Sequence, residues 1–267
     1  MNPSRANASD GATLTTVERG LEVLRAFRSD RTPLTNAELV RRTGLPKATV
    51  SRLTSTLLQV GFLRHVPGRR EFELSAGALG IGHAYLAASE LLQAAEPLMQ
   101  ELADRLDASV ALGIGDGTDM LYVGYRVSRK VATLRLGVGS VLPMGTTSIG
   151  RAYLWGLPPA ERQSLIEALK RRAGPQGEAL EHSIRSSFAE LESGGTCAVV
   201  GGYQRNTFGV ALPVHLGREG TPMSLSCGKA AVGLELGLKS ERERITPVLQ
   251  ETAERLQTLL ADSDSHL

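Results

Sequence analysis

Residues 43–63 constrain the fold more than any other part of the chain, because they join a turn to a helix with two unlike faces. Gly44 and Pro46 stand directly before apolar residues that recur every three or four positions. Glycine commonly ends a helix, and proline suits a first helical turn, where its missing N–H costs little. We therefore expect one helix to end at Gly44 and a second to run to about Val60, with apolar residues on one face and hydroxyls and cations on the other.

A short helix is expected immediately before this turn. Thr35 and Glu38 have the spacing of a capping box, in which each side chain satisfies a free backbone N–H of the first turn. That spacing places the helix at residues 36–43, and a longer helical period begins at Thr16. Residues 1–13 are polar and rich in small side chains, which predicts a disordered leader.

An alternation of apolar and polar residues follows the second helix. In the stretch FLRHVPGRREFEL it continues on both sides of Pro67 and Gly68, which predicts a β-hairpin with Arg69 and Arg70 at its tip. Two helices joined by a short turn and followed by a basic hairpin form a winged helix-turn-helix. We expect residues 14–75 to form this DNA-binding domain, with its second helix in the major groove.

The candidate DNA-binding residues are cations and short polar side chains of the helices and the hairpin. Lysine and arginine contact phosphates and guanine, and serine and threonine reach bases or backbone. The alternative for any single residue is a solvated helix face, but that alternative leaves the ordered set unexplained. The candidates are Thr35, Lys47, Ala48, Thr49, Ser51, Arg52, Thr54, Arg64, Arg69 and Arg70.

Charge and composition agree with this interpretation. Residues 1–75 hold 12 Lys and Arg against 7 Asp and Glu, whereas the whole chain has a net charge of only +2. The sequence contains neither an apolar run of the roughly 18 residues that span a bilayer nor a secretory signal. Cys197 and Cys227 are too few for a disulfide framework or a metal cluster. We expect a cytoplasmic protein without a membrane partner.

The second half of the chain predicts an α+β domain. Residues 76–92 are rich in Ala, Gly and Leu, which indicates a linker helix with an apolar stripe for a partner. From there to residue 262, strands and helices alternate with hairpins rather than in strict βαβ order. Asp116 and Gly117 mark one hairpin, and a long helix is expected over residues 241–261. Residues 93–262 therefore form the second domain.

Several segments resemble the IclR family of bacterial transcriptional regulators. TVERGLEVLRAFRS, LTNAELVRRTGLPKATVSRLTSTLLQVGFLRH and FELSAGALGIGHAYL are similar to its DNA-binding region and linker. LGIGDGTDMLYVGYRV, LRLGVGSVLPMGTTSIGRAYL and GVALPVHLGREGTPMSLSCG are similar to its effector-binding domain, an antiparallel sheet flanked by helices and related to GAF and profilin-like folds. The resemblance extends from about residue 14 over nearly the whole chain.

The resemblance implies an effector-responsive regulator of a catabolic gene set. Its expected partners are a double-stranded DNA operator, a small organic acid or aromatic metabolite, and further copies of the chain in a homodimer or tetramer. Repression is favoured over activation, although no residue decides between them.

The segment PMGTTSIGRAYL is a candidate effector site. A glycine- and hydroxyl-rich loop that leads into a helix leaves backbone N–H groups free at the positive end of the helix dipole, which suits a carboxylate. Alternatively, the hydroxyls only cap the helix. In the family, amides at the positions of Ser148 and Ile149 face the effector. The candidates here are Leu142, Met144, Thr146, Thr147, Ser148 and Ile149.

A later strand supplies a second set of candidates. Ser224 and Ser226 lie two residues apart and so share one face of the strand, as a Ser-x-Ser often does in the family. Cys227 is an additional residue before the glycine that follows this motif in the family. Whether the serines or Leu225 and Cys227 face the pocket stays open.

The segment before GVALPV departs from the family. Family members that sense small oxo-acids carry an acidic residue there, whereas this chain has none. Gln204 and Arg205 are the candidate polar contacts, and Gly209 stands where the family often has a cysteine. Arg205 faces either an anionic ligand or bulk water.

A catalytic function has little support. The sequence has neither a Gly-x-Ser-x-Gly elbow nor a phosphate loop with its lysine. Its five histidines show no metal-ligand spacing with one another or with the cysteines. A nucleophile at Ser226 or Cys227 with His215 as base is the enzymatic alternative. We expect neither enzymatic activity nor a cofactor.

Overall fold

The computed structural model describes residues 7–28, 32–131, 136–230 and 237–263, apart from the side chains of residues 7–14. The chain forms two compact units, residues 1–84 and residues 85–267, and each contains its own hydrophobic core.

The first unit is a winged helix-turn-helix, as predicted. A three-stranded antiparallel sheet, in the order β1-β3-β2, packs with three helices around a core that includes Val23, Leu39, Val50 and Phe72. The elements are α1 (Asn7–Arg25), β1 (Leu34–Thr35), α2 (Asn36–Thr43), α3 (Lys47–Gln59), β2 (Leu63–His65) and β3 (Glu71–Leu74).

The start of α1 corrects the predicted leader. The helix begins at Asn7, so residues 7–13 are helical rather than disordered. Residues 1–6 lie outside the described residues.

The turn between α2 and α3 follows the sequence signals. The Thr35 hydroxyl accepts from the Glu38 N–H at 3.2 Å, which forms that half of the capping box. The Glu38 carboxylate instead accepts from two arginines of its own helix, Arg41 and Arg42, and this pairing lowers its pKa to about 2. Gly44 is left-handed, with a φ of 71°, and donates its N–H to Val40 O.

Helix α4 (Ala76–Ala88) contains no buried residue, and all of its residues except Ala78 and Leu86 are exposed. Its first turn lies directly against the end of α3. A methyl group at Gly77 would stand 2.7 Å from the Gly61 carbonyl oxygen, and the Ser75 N–H donates to Phe62 O. The two backbones therefore meet without a side chain between them.

The predicted linker helix over residues 76–92 is wrong in its length. It stops at Ala88, because the side chain of Ser89 caps a new helix by accepting from the Leu92 N–H. That new helix buries Leu91, which lies within the range predicted for the linker helix.

The second unit is an α+β domain built on a six-stranded antiparallel sheet in the order β6-β5-β4-β9-β8-β7. Helices α5 and α9 cover one face of the sheet, and α6, α7 and α8 pack on the other. The elements are α5 (Glu90–Leu106), β4 (Ser109–Asp116), β5 (Asp119–Val127), β6 (Val141–Pro143), α6 (Ser148–Gly156), α7 (Pro159–Ala173), a 3₁₀ turn (Gly174–Gln176), α8 (Gly177–Gly194), β7 (Cys197–Val200), β8 (Thr207–Leu216), β9 (Thr221–Ala230) and α9 (Leu238–Leu259).

A β-bulge in β5 changes which side chains face the α6 side of the sheet. The register between β4 and β5 shifts by one residue near Gly113. Val123 and Gly124 consequently both face α5, and Tyr122 and Tyr125 both face the other side, although they are three residues apart. The two tyrosine rings stack, with centroids 6.1 Å apart.

Candidate DNA-binding surface and ligand cavity

The outer face of α3 presents cations and small polar groups. Lys47, Ala48, Ser51 and Arg52 are exposed, and Thr49 is half-buried. The side chains of Lys47 and Arg52 make no hydrogen bond or ion pair with the described part of the chain. They are available to a polyanion.

Thr54 does not belong to this face. Only 2% of the residue is exposed, and its hydroxyl donates to the Val50 and Ser51 carbonyls. A threonine inside a helix often bonds back to the preceding turn in this way, so the prediction that Thr54 reaches DNA is wrong. Asn36, which sequence reasoning missed, donates from Nδ2 to Ser51 Oγ at 3.4 Å and links α2 to α3.

The arginine side chains of the hairpin are exposed to solvent. Arg64 pairs with Glu73 at 3.1 Å and Arg69 with Glu71 at 3.5 Å, so their charges are partly neutralised. The Arg70 side chain has no partner among the described residues. Thr35 is exposed, but its hydroxyl is occupied by the helix cap.

In the second unit, a cavity lies between the sheet and the start of α6. Its empty volume is about 540 Å³, part of which is open to solvent. The face of the sheet beneath the cavity carries small residues in two rows that cross neighbouring strands. One row contains Ser109, Gly228 and Gly209, and the other contains Ala111 and Ser226. The space exists because none of these side chains is large.

The start of α6 forms one wall of this cavity. Thr147 caps the helix, since its hydroxyl accepts from the Gly150 N–H and donates to Pro143 O at 2.7 Å. Ser148 and Ile149 line the cavity, and backbone N–H groups in a first helical turn have no intrahelical acceptor. A methyl group at Gly209 would lie 2.6 Å from Ser148 Oγ, so the hydroxyl sits directly over this glycine.

The stacked tyrosines and Leu142 line another part of the cavity. Burial raises the pKa of the Tyr122 phenol, and the neighbouring Tyr125 adds to the shift. Both phenols are therefore neutral near pH 7. The lining residues that the structure describes include no charged side chain.

Six of the effector-site candidates line the cavity: Leu142, Thr147, Ser148, Ile149, Gly209 and Ser226. The alternation of β9 bears on the open question about this strand. Leu225 and Cys227 are buried in the core with residues of α5 and α9, whereas Ser226 lines the cavity, which Cys227 also borders.

Five other candidates lie outside the cavity, contrary to expectation. Met144 is fully buried, and Thr146 Oγ1 donates to Gly202 O at 2.8 Å. Ser224 is also fully buried and donates to Leu212 O. The remaining two, Gln204 and Arg205, are exposed on the loop before β8.

Sequence reasoning missed much of the lining. Ser109, Ala111 and Tyr125 were not candidates, because the β4–β5 hairpin was recognised only as strands and the bulge breaks the even spacing of one strand face. Arg151 was also missed. It is buried in α6, where its guanidinium donates to Gly145 O, Ser183 O and Ser187 Oγ and so connects the cavity loop to α8.

Cys227 and His215, the nucleophile and base of the enzymatic alternative, are not arranged for catalysis. Burial raises the pKa of the Cys227 thiol to about 12, and His215 Nε2 lies 2.9 Å from Gly156 O, which occupies it. No group of three or more His, Cys, Asp or Glu side chains suited to a metal ion occurs in the described ranges. Likewise, no helix among the described residues has the length and apolar character needed to cross a membrane.

Comparison with known proteins decides the family. Residues 16–67 match the IclR helix-turn-helix domain, and residues 83–258 match the bacterial transcriptional regulator IclR C-terminal domain. The chain belongs to the IclR family. An IclR protein of this kind is a DNA-binding transcriptional regulator rather than an enzyme.

Two individual relatives support the family assignment. The chain is 30% identical over 259 residues to the HTH-type transcriptional regulator TsaQ1/TsaQ2 of Comamonas testosteroni, covering 96% of this chain and 91% of that protein. The crystal structure of an IclR family transcriptional regulator from Brucella abortus has a TM-score of 0.81 and 33% identity, with 92% of each chain covered.

A third relative shares the fold at lower identity. It is an IclR homolog from Microbacterium hydrocarbonoxydans complexed with 4-hydroxybenzoate, with a TM-score of 0.66 and 22% identity over 91% of this chain and 98% of that chain.

Proposed function

We propose that this IclR-family regulator binds a double-stranded operator as a homodimer and that a small organic acid or aromatic metabolite in the cavity controls this binding. The observation that supports the proposal most directly is the cavity itself, which has a helix N-terminus at one wall and small residues along its floor. A ligand that binds one arrangement of the two units better than another shifts the population, and hence the DNA affinity.

The expected assembly follows from α4. One winged helix makes too few contacts for a tight specific site, so two copies reading two half-sites are needed. Leu79 is 74% exposed and Ile81 64% exposed, an apolar surface that a second copy would cover. Val17 and Leu21 on α1 are exposed as well. Pairing of these surfaces gives the homodimer, and joining of dimers gives the alternative tetramer.

The chemistry of the cavity favours a ligand with one negative charge. Free first-turn N–H groups at Ser148 and Ile149 suit a carboxylate. The described lining residues offer no charged side chain that would compensate a second carboxylate. The stacked Tyr122 and Tyr125 suit an aromatic ring. The 4-hydroxybenzoate bound by the Microbacterium homolog belongs to this class.

On the DNA side, α3 enters the major groove and the hairpin contacts the adjacent backbone. Repression of catabolic genes in the cytoplasm is the expected mode of action. The residues assigned to the operator are Thr35, Lys47, Ala48, Thr49, Ser51, Arg52, Arg64, Arg69 and Arg70.

The test is a fluorescence anisotropy titration of the full chain with the intergenic DNA upstream of its own gene, at two salt concentrations, with and without 4-hydroxybenzoate. Specific binding that survives competitor DNA and shifts with the ligand supports the proposal. Binding that high salt abolishes on every sequence contradicts a sequence-specific operator, and specific binding that the ligand leaves unchanged contradicts 4-hydroxybenzoate as the effector.

Changing Arg69 and Arg70 together to alanine is expected to weaken binding to all DNA sequences alike. The logarithmic salt slope should fall by about one for each phosphate that an arginine no longer neutralises, because fewer counterions are released. Anisotropy titrations over a salt series measure both effects. The matched control is Arg171→Ala with Arg185→Ala, which removes the same charge from exposed positions of α7 and α8. An unchanged slope would show that the hairpin tip does not touch DNA.

Gly209→Ala is expected to weaken ligand binding by about tenfold or more and to lower stability by about 1–3 kcal/mol. The new methyl group would lie 2.6 Å from Ser148 Oγ, so the hydroxyl must turn into the cavity. Calorimetric titration with 4-hydroxybenzoate measures the change in affinity. Gly194→Ala, where a methyl group meets no atom within 4 Å, is the control. Equal affinity in the variant would mean that the ligand does not occupy the space over Gly209.

A further inference from the structure

Asn36 is the first residue of α2, and its side chain reaches across to α3. Its Nδ2 donates to Ser51 Oγ at 3.4 Å, whereas its Oδ1 is buried and has no partner among the residues that the structure describes. The opposite orientation of the amide would bury an NH₂ group, with two donors to satisfy, in place of one oxygen. The amide therefore keeps its donors toward Ser51. An unsatisfied buried oxygen calls for an explanation, and the contact with α3 supplies one.

The hydroxyl of Ser51 differs from others on the same helix. Ser55 and Thr56 donate to the carbonyls four residues before them, at 2.9 and 3.1 Å, as serine and threonine commonly do inside helices. Ser51 instead accepts from Asn36, and within the described part of the chain its hydroxyl donates to no acceptor. Because Ser51 is also exposed, its proton is available to an acceptor outside the protein.

This arrangement has a consequence for the reading of bases. When α3 enters the major groove, DNA displaces the water around Ser51, and the hydroxyl proton then needs an acceptor on a base edge. Guanine O6 and thymine O4 are acceptors, whereas adenine and cytosine present amino groups at the corresponding positions. A serine without the Asn36 contact accommodates those amino groups too, because its proton can bond back to the helix and its oxygen can then accept.

We propose that Asn36 is a positioning residue for operator recognition, which keeps Ser51 as a hydrogen-bond donor to one base in each half-site. Ser51 then prefers guanine over adenine, or thymine over cytosine, at that position. Asn36 acts through Ser51 and does not itself contact the base. The proposal rests on the proposed function, because it takes α3 to be the recognition helix.

The test is fluorescence anisotropy of the full chain with the site that footprinting defines in the intergenic DNA upstream of its own gene. Variants of that site each carry one exchange of G·C for A·T, or the reverse, in both half-sites. At the Ser51 position, this exchange is expected to weaken binding by the unaltered chain about fivefold or more, because the hydroxyl proton loses its acceptor. Ser51→Ala and Asn36→Ala should each bind the two sites nearly alike. The double variant should lose no more than either single change.

Thr56→Ala is the matched control, since it removes from α3 an exposed hydroxyl that bonds back to Arg52 O, and it should keep the preference. Weaker binding of Asn36→Ala to every site alike, with the preference kept, would overturn the proposal and leave Asn36 with a structural role alone. Additive losses at two different base pairs would overturn it as well, because they indicate two independent contacts. Absence of specific binding by the unaltered chain would refute the operator proposal itself, and this one with it.

Discussion

Arg52→Ala is expected to weaken specific operator binding strongly while leaving the fold intact. The Arg52 side chain is exposed on α3 and makes no hydrogen bond or ion pair with the described part of the chain, so its removal costs no internal polar interaction. Removing an arginine that bonds to guanine weakens binding by about 1–3 kcal/mol. Because a homodimer places the arginine in both half-sites, the effect is doubled and reaches about 30-fold or more.

Anisotropy with operator and with scrambled DNA of equal length separates this effect from general electrostatics. Binding to the scrambled sequence should change much less, as removal of a single charge predicts. Arg185→Ala is the control, since it removes one charge from an arginine that pairs with Glu181 on α8. If Arg52→Ala bound the operator as tightly as the unaltered chain, the assignment of α3 as the recognition helix would be wrong.

Gly150→Ala is expected to destabilise the second unit severely. The added methyl group would lie 2.1 Å from the Met144 carbonyl oxygen and 2.5 Å from its Cα atom, and neither backbone atom can rotate away as a side chain can. Overpacking costs typically 1–3 kcal/mol and occasionally more, and a clash with backbone belongs at the upper end. For a domain of this size, about 3 kcal/mol lowers Tm by roughly 6–12 °C.

Differential scanning calorimetry on the full chain measures the shift. Gly194→Ala in α8 serves as control, because a methyl group there meets nothing within 4 Å and the Tm should stay within about 2 °C of the unaltered value. Equal melting of Gly150→Ala and the unaltered chain would refute the close packing of α6 on the segment before it.

The helix-turn-helix could be predicted from sequence because its helix ends and turns depend on the backbone preferences of single residues. Gly44 adopts a left-handed conformation, and Gly68 does so in the hairpin, so the residues that signalled a turn are those whose φ the turn requires. Thr54 was misassigned for an equally local reason. A hydroxyl that bonds back to its own helix has the same sequence signature as one that faces DNA.

The cavity could be predicted only in part. The start of α6 carries a loop-to-helix signal, which predicted Thr147, Ser148 and Ile149 as site residues, and all three line the cavity. Its floor consists of small residues on three strands, and the pairing of distant strands is not encoded by the spacing of residues along any one of them. Tyr125 escaped prediction because a bulge, rather than the two-residue period, sets its direction.

The contact between Gly61 and Gly77 determines how movement passes through the first unit. Side chains absorb small displacements by changing rotamer, but here the carbonyl of one glycine abuts the Cα atom of the other, and neither residue has a rotamer to change. We therefore expect a displacement of the first turn of α4 to be transmitted to the end of α3 rather than absorbed by a side chain between them.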